Sequence, residues 1–300
     1  MQSDTDFASE PGAVTTLAEG KAYALHNVIA LDGRVGHYPI SARGYAPCNC
    51  YLLKEPEEAL LLDTGFGIHR DAMIAQIGGL LDPGTALSMT VMRLNDYLSV
   101  GNAVPIARRF GIRKLYATIQ TAAGSLDFES RNAAEAETNR ALMPVELITG
   151  NEWINLGQQG RRIKFNQSPL RLINTRWIYD PLSRALFSSD MFAHSWSATP
   201  RDDWTLTART DTTTEEDVRR FMLSTRYWWL EGARTDELRR ELAGIFDSYP
   251  IETIAPGYGF ILKGAEIVER HYRMLDEVLR KLDQSRTPPR YVAHNEDHYV

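Results

Sequence analysis

The run Ala59-Leu60-Leu61-Leu62, closed by Asp63-Thr64-Gly65, constrains the fold of this chain more than any other stretch. Four apolar residues bounded by turn signals are too few for a helix and fit a buried strand. Helical spacing follows over about 70–80 and stops at Asp82-Pro83-Gly84, because proline cannot continue a helix. Leu87 to Met92 reads as another short apolar strand, and Ala103 to Phe110 as a helix that ends at Gly111. Strands alternate with helices over short connections, which is the pattern of an α/β architecture.

The same reading extends to both ends. Tyr23 to Leu31 is a predicted strand closed by Asp32-Gly33, and Cys48 to Leu53 is another. From about Val145 the signals turn to strands: Glu152 to Leu156, Arg162 to Phe165, Leu170 to Ile173, Arg176 to Tyr179 and Ala185 to Phe187. Thr214-Glu215-Glu216-Asp217 has the polar start of a capped helix and leads into a helix predicted over Val218 to Leu230. Thr235-Asp236-Glu237 opens another, and Val268, Tyr272, Leu275, Leu279 and Leu282 mark 264–283 as an amphipathic helix. We expect a disordered lead-in over 1–15, one domain over 16–285 and a tail over 286–300 after the Pro288-Pro289 break.

Composition excludes some functions. The net charge is −6, and the paired arginines at 108–109, 161–162, 219–220 and 239–240 are scattered among acids. That is a solvated surface, so no nucleic-acid partner is expected. No run approaches the ~20 apolar residues of a membrane span, and no membrane partner is expected. The polar N-terminus lacks the features of a signal peptide. The two cysteines, Cys48 and Cys50, form no disulfide framework. The expected location is the cytoplasm.

Four landmarks occur in order: Asn49-Cys50-Tyr51-Leu52-Leu53, Leu60 to Gly65, Tyr179-Asp180-Pro181 through Leu186-Phe187-Ser188-Ser189-Asp190-Met191-Phe192, and Ile254-Ala255-Pro256-Gly257-Tyr258-Gly259. In this order the chain resembles the metallo-β-lactamase superfamily, and more narrowly the oxygen-binding di-iron domain of flavodiiron proteins. The resemblance spans roughly residues 20 to 270. It implies an α/β (α+β) fold, the αβ/βα sandwich of two mixed sheets flanked by helices. Such families carry a His-x-His-x-Asp-His-x-Gly segment, or His-x-Glu-x-Asp-His-x-Gly in the di-iron branch. With Gly101 as the closing glycine, the ligand positions fall on Leu94, Asp96, Leu98 and Ser99. The next family histidine falls on Arg171, or on Asn174 if the spacing slips. The bridging aspartate corresponds to Asp190, and the last histidine is Tyr258.

Two carboxylates are a poor substitute for the three or four donors of a stable transition-metal site. No metal cofactor is favoured, with Asp96 and Asp190 as weak candidate ligands and iron or zinc as the alternative. Close, uncompensated carboxylates repel, and Arg93 or Arg171 is suited to replace the ion's charge. Asp190, Tyr258 and Arg171 are the candidate pocket residues, with Asn95, Asp96, Ser99, Asp63 and His194 as further lining. Each has a structural reading too: Asp63 as a turn residue, Ser99 as a helix cap, Tyr258 as a packed ring, and His194 as a surface-loop histidine. The histidines at 26, 37, 69 and 271 show no ligand spacing. His294 and His298 make a donor-rich tail.

Three functions follow. The first is a metal-free protein with a degenerate site, binding a small polar molecule or doing altered chemistry in the ancestral groove. The second is a metal-dependent hydrolase or di-iron oxidoreductase with rearranged ligands. The third is a non-catalytic homodimeric partner, with Trp196, Trp228 and Trp229 as interface aromatics. Whether the chain is an enzyme is left open by its sequence.

Overall fold

A computed structural model describes residues 12–170 and 174–290. Two seven-stranded sheets carry the chain. The first has the order β1 (Ala13–Ala18), β2 (Ala22–Leu31), β3 (Gly44–Lys54), β4 (Glu58–Leu62), β5 (Ala86–Thr90), β6 (Leu115–Ala117), β7 (Val145–Leu147). The second has the order β12 (Thr205–Leu206), β14 (Ile261–Lys263), β13 (Thr253–Pro256), β11 (Ala185–Ser189), β10 (Arg176–Asp180), β9 (Arg161–Gln167), β8 (Trp153–Leu156). Both are mixed. In the first, β3–β4 is antiparallel while β4–β5, β5–β6 and β6–β7 are parallel. In the second, β8–β9 and β13–β14 are antiparallel and β11–β13 is parallel. The α/β class expected from the sequence is the one observed.

The described residues divide into two compact units: 12–27, 48–167 and 174–178, and 28–47, 168–170 and 179–290. In the first unit, α1 (Arg70–Leu80) and α3 (Ala103–Phe110) are the crossovers between parallel strands, as parallel pairing requires. Leu52, Leu61, Met73, Ile77, Met89, Val104 and Ile106 share one buried core. The β4 run is buried at every position, which is why it lacks the alternation of a half-exposed strand.

The loop after β4 is locked to the segment before α3. Thr64 donates through Oγ1 to the Ser99 carbonyl at 2.8 Å, and Asn102 Nδ2 donates to the Thr64 and Phe66 carbonyls at 2.9 and 2.7 Å. Gly101 is where the two backbones meet. A Cβ there would lie 2.6 Å from the Gly65 carbonyl oxygen and 2.6 Å from the Gly67 nitrogen.

In the second unit α6 (Glu215–Leu223), α7 (Asp236–Ser248) and α8 (Ala265–Leu282) pack together. Arg239 on α7 forms a two-bond fork with Asp276 on α8 at 2.8 and 2.9 Å, and Phe246 stacks on Tyr272. The chain beyond α8 is stitched back to the start of α7. Asp283 Oδ2 accepts from the Thr235 backbone N–H at 2.8 Å, Gln284 N–H donates to the Ala233 carbonyl at 2.9 Å, and Pro289 lies against Gly232.

Some elements depart from the sequence reading. β1 begins at Ala13, inside the expected lead-in; residues 1–11 lie outside the described chain. The helix predicted over Val218 to Leu230 ends at Leu223, and Trp228–Leu230 is a separate 3-10 turn. Thr225 donates its hydroxyl back to the Phe221 carbonyl at 2.7 Å, a local bond that competes with helix continuation. Of the strand expected at Leu170 to Ile173, Leu170 is outside any strand and the rest lies outside the described residues.

Gly101→Ala is expected to destabilise by roughly 1–3 kcal/mol through backbone crowding, read as a lower urea midpoint at unchanged slope. Gly79, exposed in α1 with open space at its Cβ position, is the control. Gly79→Ala should stabilise by about 0.5–1 kcal/mol.

Candidate functional site: three carboxylates and two guanidinium partners

β4 ends at Leu62, and the next residue, Asp63, has φ 63°. A branch-free polar side chain tolerates that left-handed geometry better than most. It turns the carboxylate back over β5, where Asp63 Oδ1 accepts from the Met92 backbone N–H at 2.6 Å. The segment after β5 is held by residues 174–176: Arg176 N–H donates to the Met92 carbonyl at 2.8 Å, and Arg93 bridges Thr175. This fixes the direction of the Arg93 side chain.

Arg93 is fully buried. Its Nη2 lies 3.7 Å from Asp63 Oδ2 and its Nη1 3.9 Å from Asp96 Oδ2. Its Nε donates to Ser99 Oγ at 3.0 Å. Asp96 is also the cap of the short helix α2 (Tyr97–Val100), accepting from the Leu98 N–H at 3.0 Å. The structure therefore gathers three of the sequence candidates, Asp63, Asp96 and Ser99, around one guanidinium. The expectation that Ser99 caps a helix is corrected: the cap is Asp96, and Ser99 sits one turn inside with its hydroxyl turned to Arg93. Asn95 is exposed. Burial pushes the Asp63 carboxyl up to about 6, against the opposing pull of Arg93 and of the Met92 N–H.

In the second unit, β11 ends at Ser189, which is also left-handed at φ 56°. Asp190 follows, almost wholly buried, and its Oδ1 accepts from Arg226 Nη2 at 2.9 Å. A ring nitrogen of His37 lies within 4.8 Å of an Asp190 carboxylate oxygen. His37 packs edge-on against Tyr258, with ring centroids 4.9 Å apart, and Tyr38 does so from 5.4 Å. Tyr258 is buried between Gly257 and Gly259. At Gly259, with φ 80°, a Cβ would crowd the Ser195 carbonyl at 2.9 Å, so only glycine fits. His194 takes another direction, toward His271, and lines a separate cavity that Asp190 does not reach.

The sequence reading did not find two of these residues. Arg226 follows the premature end of α6, and His37 sits in a loop far from any landmark. No local pattern marks either one; only the fold brings them to Asp190. Arg171 and the tail histidines His294 and His298 lie outside the described residues.

No family model matches the sequence, and no curated protein sequence matches it. Solved structures do. Both sheets and their helices have the metallo-β-lactamase-like fold found in the core of flavodiiron proteins. The similar structures include rubredoxin oxygen:oxidoreductase from Desulfovibrio gigas, at 17% identity over 89% of this chain and 62% of that one, TM-score 0.69. They also include a metal-soaked flavodiiron core from Synechocystis, at 16% identity, 89% and 62% coverage and TM-score 0.64. A third is the flavodiiron protein of Giardia intestinalis, at 13% identity, 86% and 57% coverage and TM-score 0.63. At these identities the likeness is one of fold. The chain spans about 62% of the length of the first two.

Two outcomes test the Arg93 cluster. Arg93→Met should cost about 3–5 kcal/mol, because it strands buried carboxylates. Adding Asp63→Asn and Asp96→Asn should recover most of that loss in urea unfolding. Asp63 also sets a pH signature. Its folded pKa of about 6 exceeds the ordinary 3.8, so the folded state binds the extra proton. The stability from Asp63 is present below pH 3.8 and is lost as pH rises through about 6, on the order of 3 kcal/mol. Asp63→Asn should remove that loss. The difference between wild-type and variant stability, measured from pH 4 to 7, should fall with rising pH.

Proposed function

We propose that this protein is a metal-independent member of the metallo-β-lactamase fold, in which side-chain guanidinium groups hold the charge that a metal pair would otherwise supply. The observation that carries the reading is Arg93: a fully buried cation set between Asp63 and Asp96. Arg226 serves Asp190 in the same way. The donor chemistry agrees. Of the positions aligned with the family ligands, Leu94 and Leu98 have no donor atom, Ser99 already accepts from Arg93, and Tyr258 is a packed ring. Such a set does not fit a dinuclear iron or zinc centre, which needs several well-placed N, O or S donors.

In this reading the groove keeps a role in binding a small polar molecule, with Asp190, Arg226 and His37 as the polar groups. We further infer a cytoplasmic homodimer. The buried free thiols Cys48 and Cys50 support a reducing compartment. Trp228 and Trp229, each 40% exposed, support an interface. Among the described residues no helix is long and apolar enough to cross a membrane.

A second reading, a metal-dependent hydrolase or di-iron oxidoreductase with rearranged ligands, is favoured by one observation, the approach of His37 to Asp190. Elemental analysis of untagged protein separates the two. The metal-independent reading expects no stoichiometric iron, zinc or manganese, and an unchanged melting temperature after chelation. Tightly held metal that Asp190→Ala or His37→Ala releases would establish the second reading instead. Light scattering checks the dimer, and a monomeric mass at micromolar concentration would count against it.

A further inference from the structure

A cavity of about 400 Å³ opens in the second unit, lined by His194, Ser195, Arg201, Thr210, Arg220 and Phe260 among others. That volume suits a small ligand. A buried hydrogen-bonded chain joins two of its lining residues, His194 and Asp211, through His271. His194 Nε2 meets His271 Nδ1 at 2.9 Å, and His271 Nε2 meets Asp211 Oδ2 at 2.7 Å. Asp211 is tied further by Arg270, and its Oδ1 accepts from the Thr213 backbone N–H at 2.9 Å and from the Thr213 hydroxyl at 2.5 Å. Burial works against the Asp211 charge, but these partners, His271 foremost, hold its carboxyl well below the usual carboxylate range.

The carboxylate fixes one end of this chain. An ionised carboxylate only accepts, so His271 Nε2 carries a hydrogen. One hydrogen lies between His271 Nδ1 and His194 Nε2; where His194 Nε2 carries it, His194 Nδ1 keeps its lone pair and can accept. Among the described residues it makes no hydrogen bond, and His194 borders the cavity. Burial, followed by the neighbouring His271, lowers the His194 pKa to about 3, so the ring stays neutral at physiological pH.

Two cations share the cavity. Arg201 lies over the Phe260 ring at 5.5 Å, and Arg220 projects from α6. Neither guanidinium has an ion-pair or hydrogen-bond partner among the described residues. Asp217, also on the wall, is engaged by the capping box of α6, accepting from the Thr214 N–H at 2.9 Å.

We propose that this cavity binds a small hydroxylated anion: the anionic group sits on Arg201 and Arg220, and a ligand hydroxyl donates to Nδ1 of His194. His271 and Asp211 act as positioning residues that hold the acceptor tautomer. The site is independent of Asp190 and of the Arg93 cluster, so it stands whatever the metal content of the protein.

The test uses the full-length chain labelled with ¹⁵N-histidine. Its spectrum should show His194 protonated at Nε2 and bare at Nδ1. Titration with malate should move the Nδ1 resonance, and succinate, the same dianion without the hydroxyl, should bind about tenfold more weakly. Glycerol 3-phosphate against methyl phosphate repeats the comparison for a phosphate anion, and tells which of the two anions the arginines select. Arg201→Gln with Arg220→Gln should weaken the binding about tenfold or more, with an unchanged melting temperature because both side chains are exposed. His194 protonated at Nδ1, equal binding of each hydroxylated and plain anion, or no response to any of the four anions would overturn the proposal.

Discussion

Everything at the end of β4 depends on one buried cation. Arg93 is removed from water, and a desolvated charge costs several kcal/mol even after relaxation. One carboxylate at 3.7 Å returns about 4 kcal/mol at an effective dielectric near 20. A single partner therefore leaves the arrangement near balance. The second partner, Asp96 at 3.9 Å, and the hydrogen bond to Ser99 favour the buried state. The cost reappears on Asp63, whose carboxyl is pushed up because burial outweighs the guanidinium's pull. Local backbone follows from the same cluster: Asp63 keeps its left-handed φ, and Met92 keeps its N–H bonded, because the carboxylate must reach both the segment and the arginine.

The two strand exits repeat the device. β4 is followed by, and β11 ends at, a non-glycine residue in the left-handed region, Asp63 and Ser189, and each exit delivers a carboxylate to a guanidinium. Non-glycine residues in this conformation cost energy that the surroundings must hold in place. At one exit the left-handed residue is the acid itself, Asp63, and at the other it directly precedes the acid, Asp190.

Much of this was legible in the sequence where the signal is local. Arg70–Leu80 and Ala103–Phe110 are helices with the predicted bounds, because Asp82-Pro83-Gly84 and Gly111 are strong stops. The β4 run and the Asp63-Thr64-Gly65 turn were equally plain. That an arginine would compensate the carboxylates was an expectation from the sequence, which offered Arg93 or Arg171; the structure sets Arg93 by Asp63 and Asp96 and Arg226 by Asp190. What escaped were partners brought by tertiary folding: Arg226 to Asp190, His37 to the same acid, and His271 with Asp211 to His194. Each pair is separated by tens of residues or more, and no spacing rule joins them. The early end of α6 escaped for a different reason, since Thr225 competes for a helix carbonyl without disturbing the apolar pattern.

The stitching of residues 283–289 to the loop before α7 bears on how this polypeptide can be handled. Asp283, Gln284 and Pro289 fasten the far end of α8 to Gly232, Ala233 and Thr235, so the stretch that looks like a trailing appendage is a clasp. Clipping by a protease there would remove the bonds that fasten the end of α8 to the loop before α7, leaving the Arg239–Asp276 fork and the Phe246–Tyr272 stack to hold the two helices together.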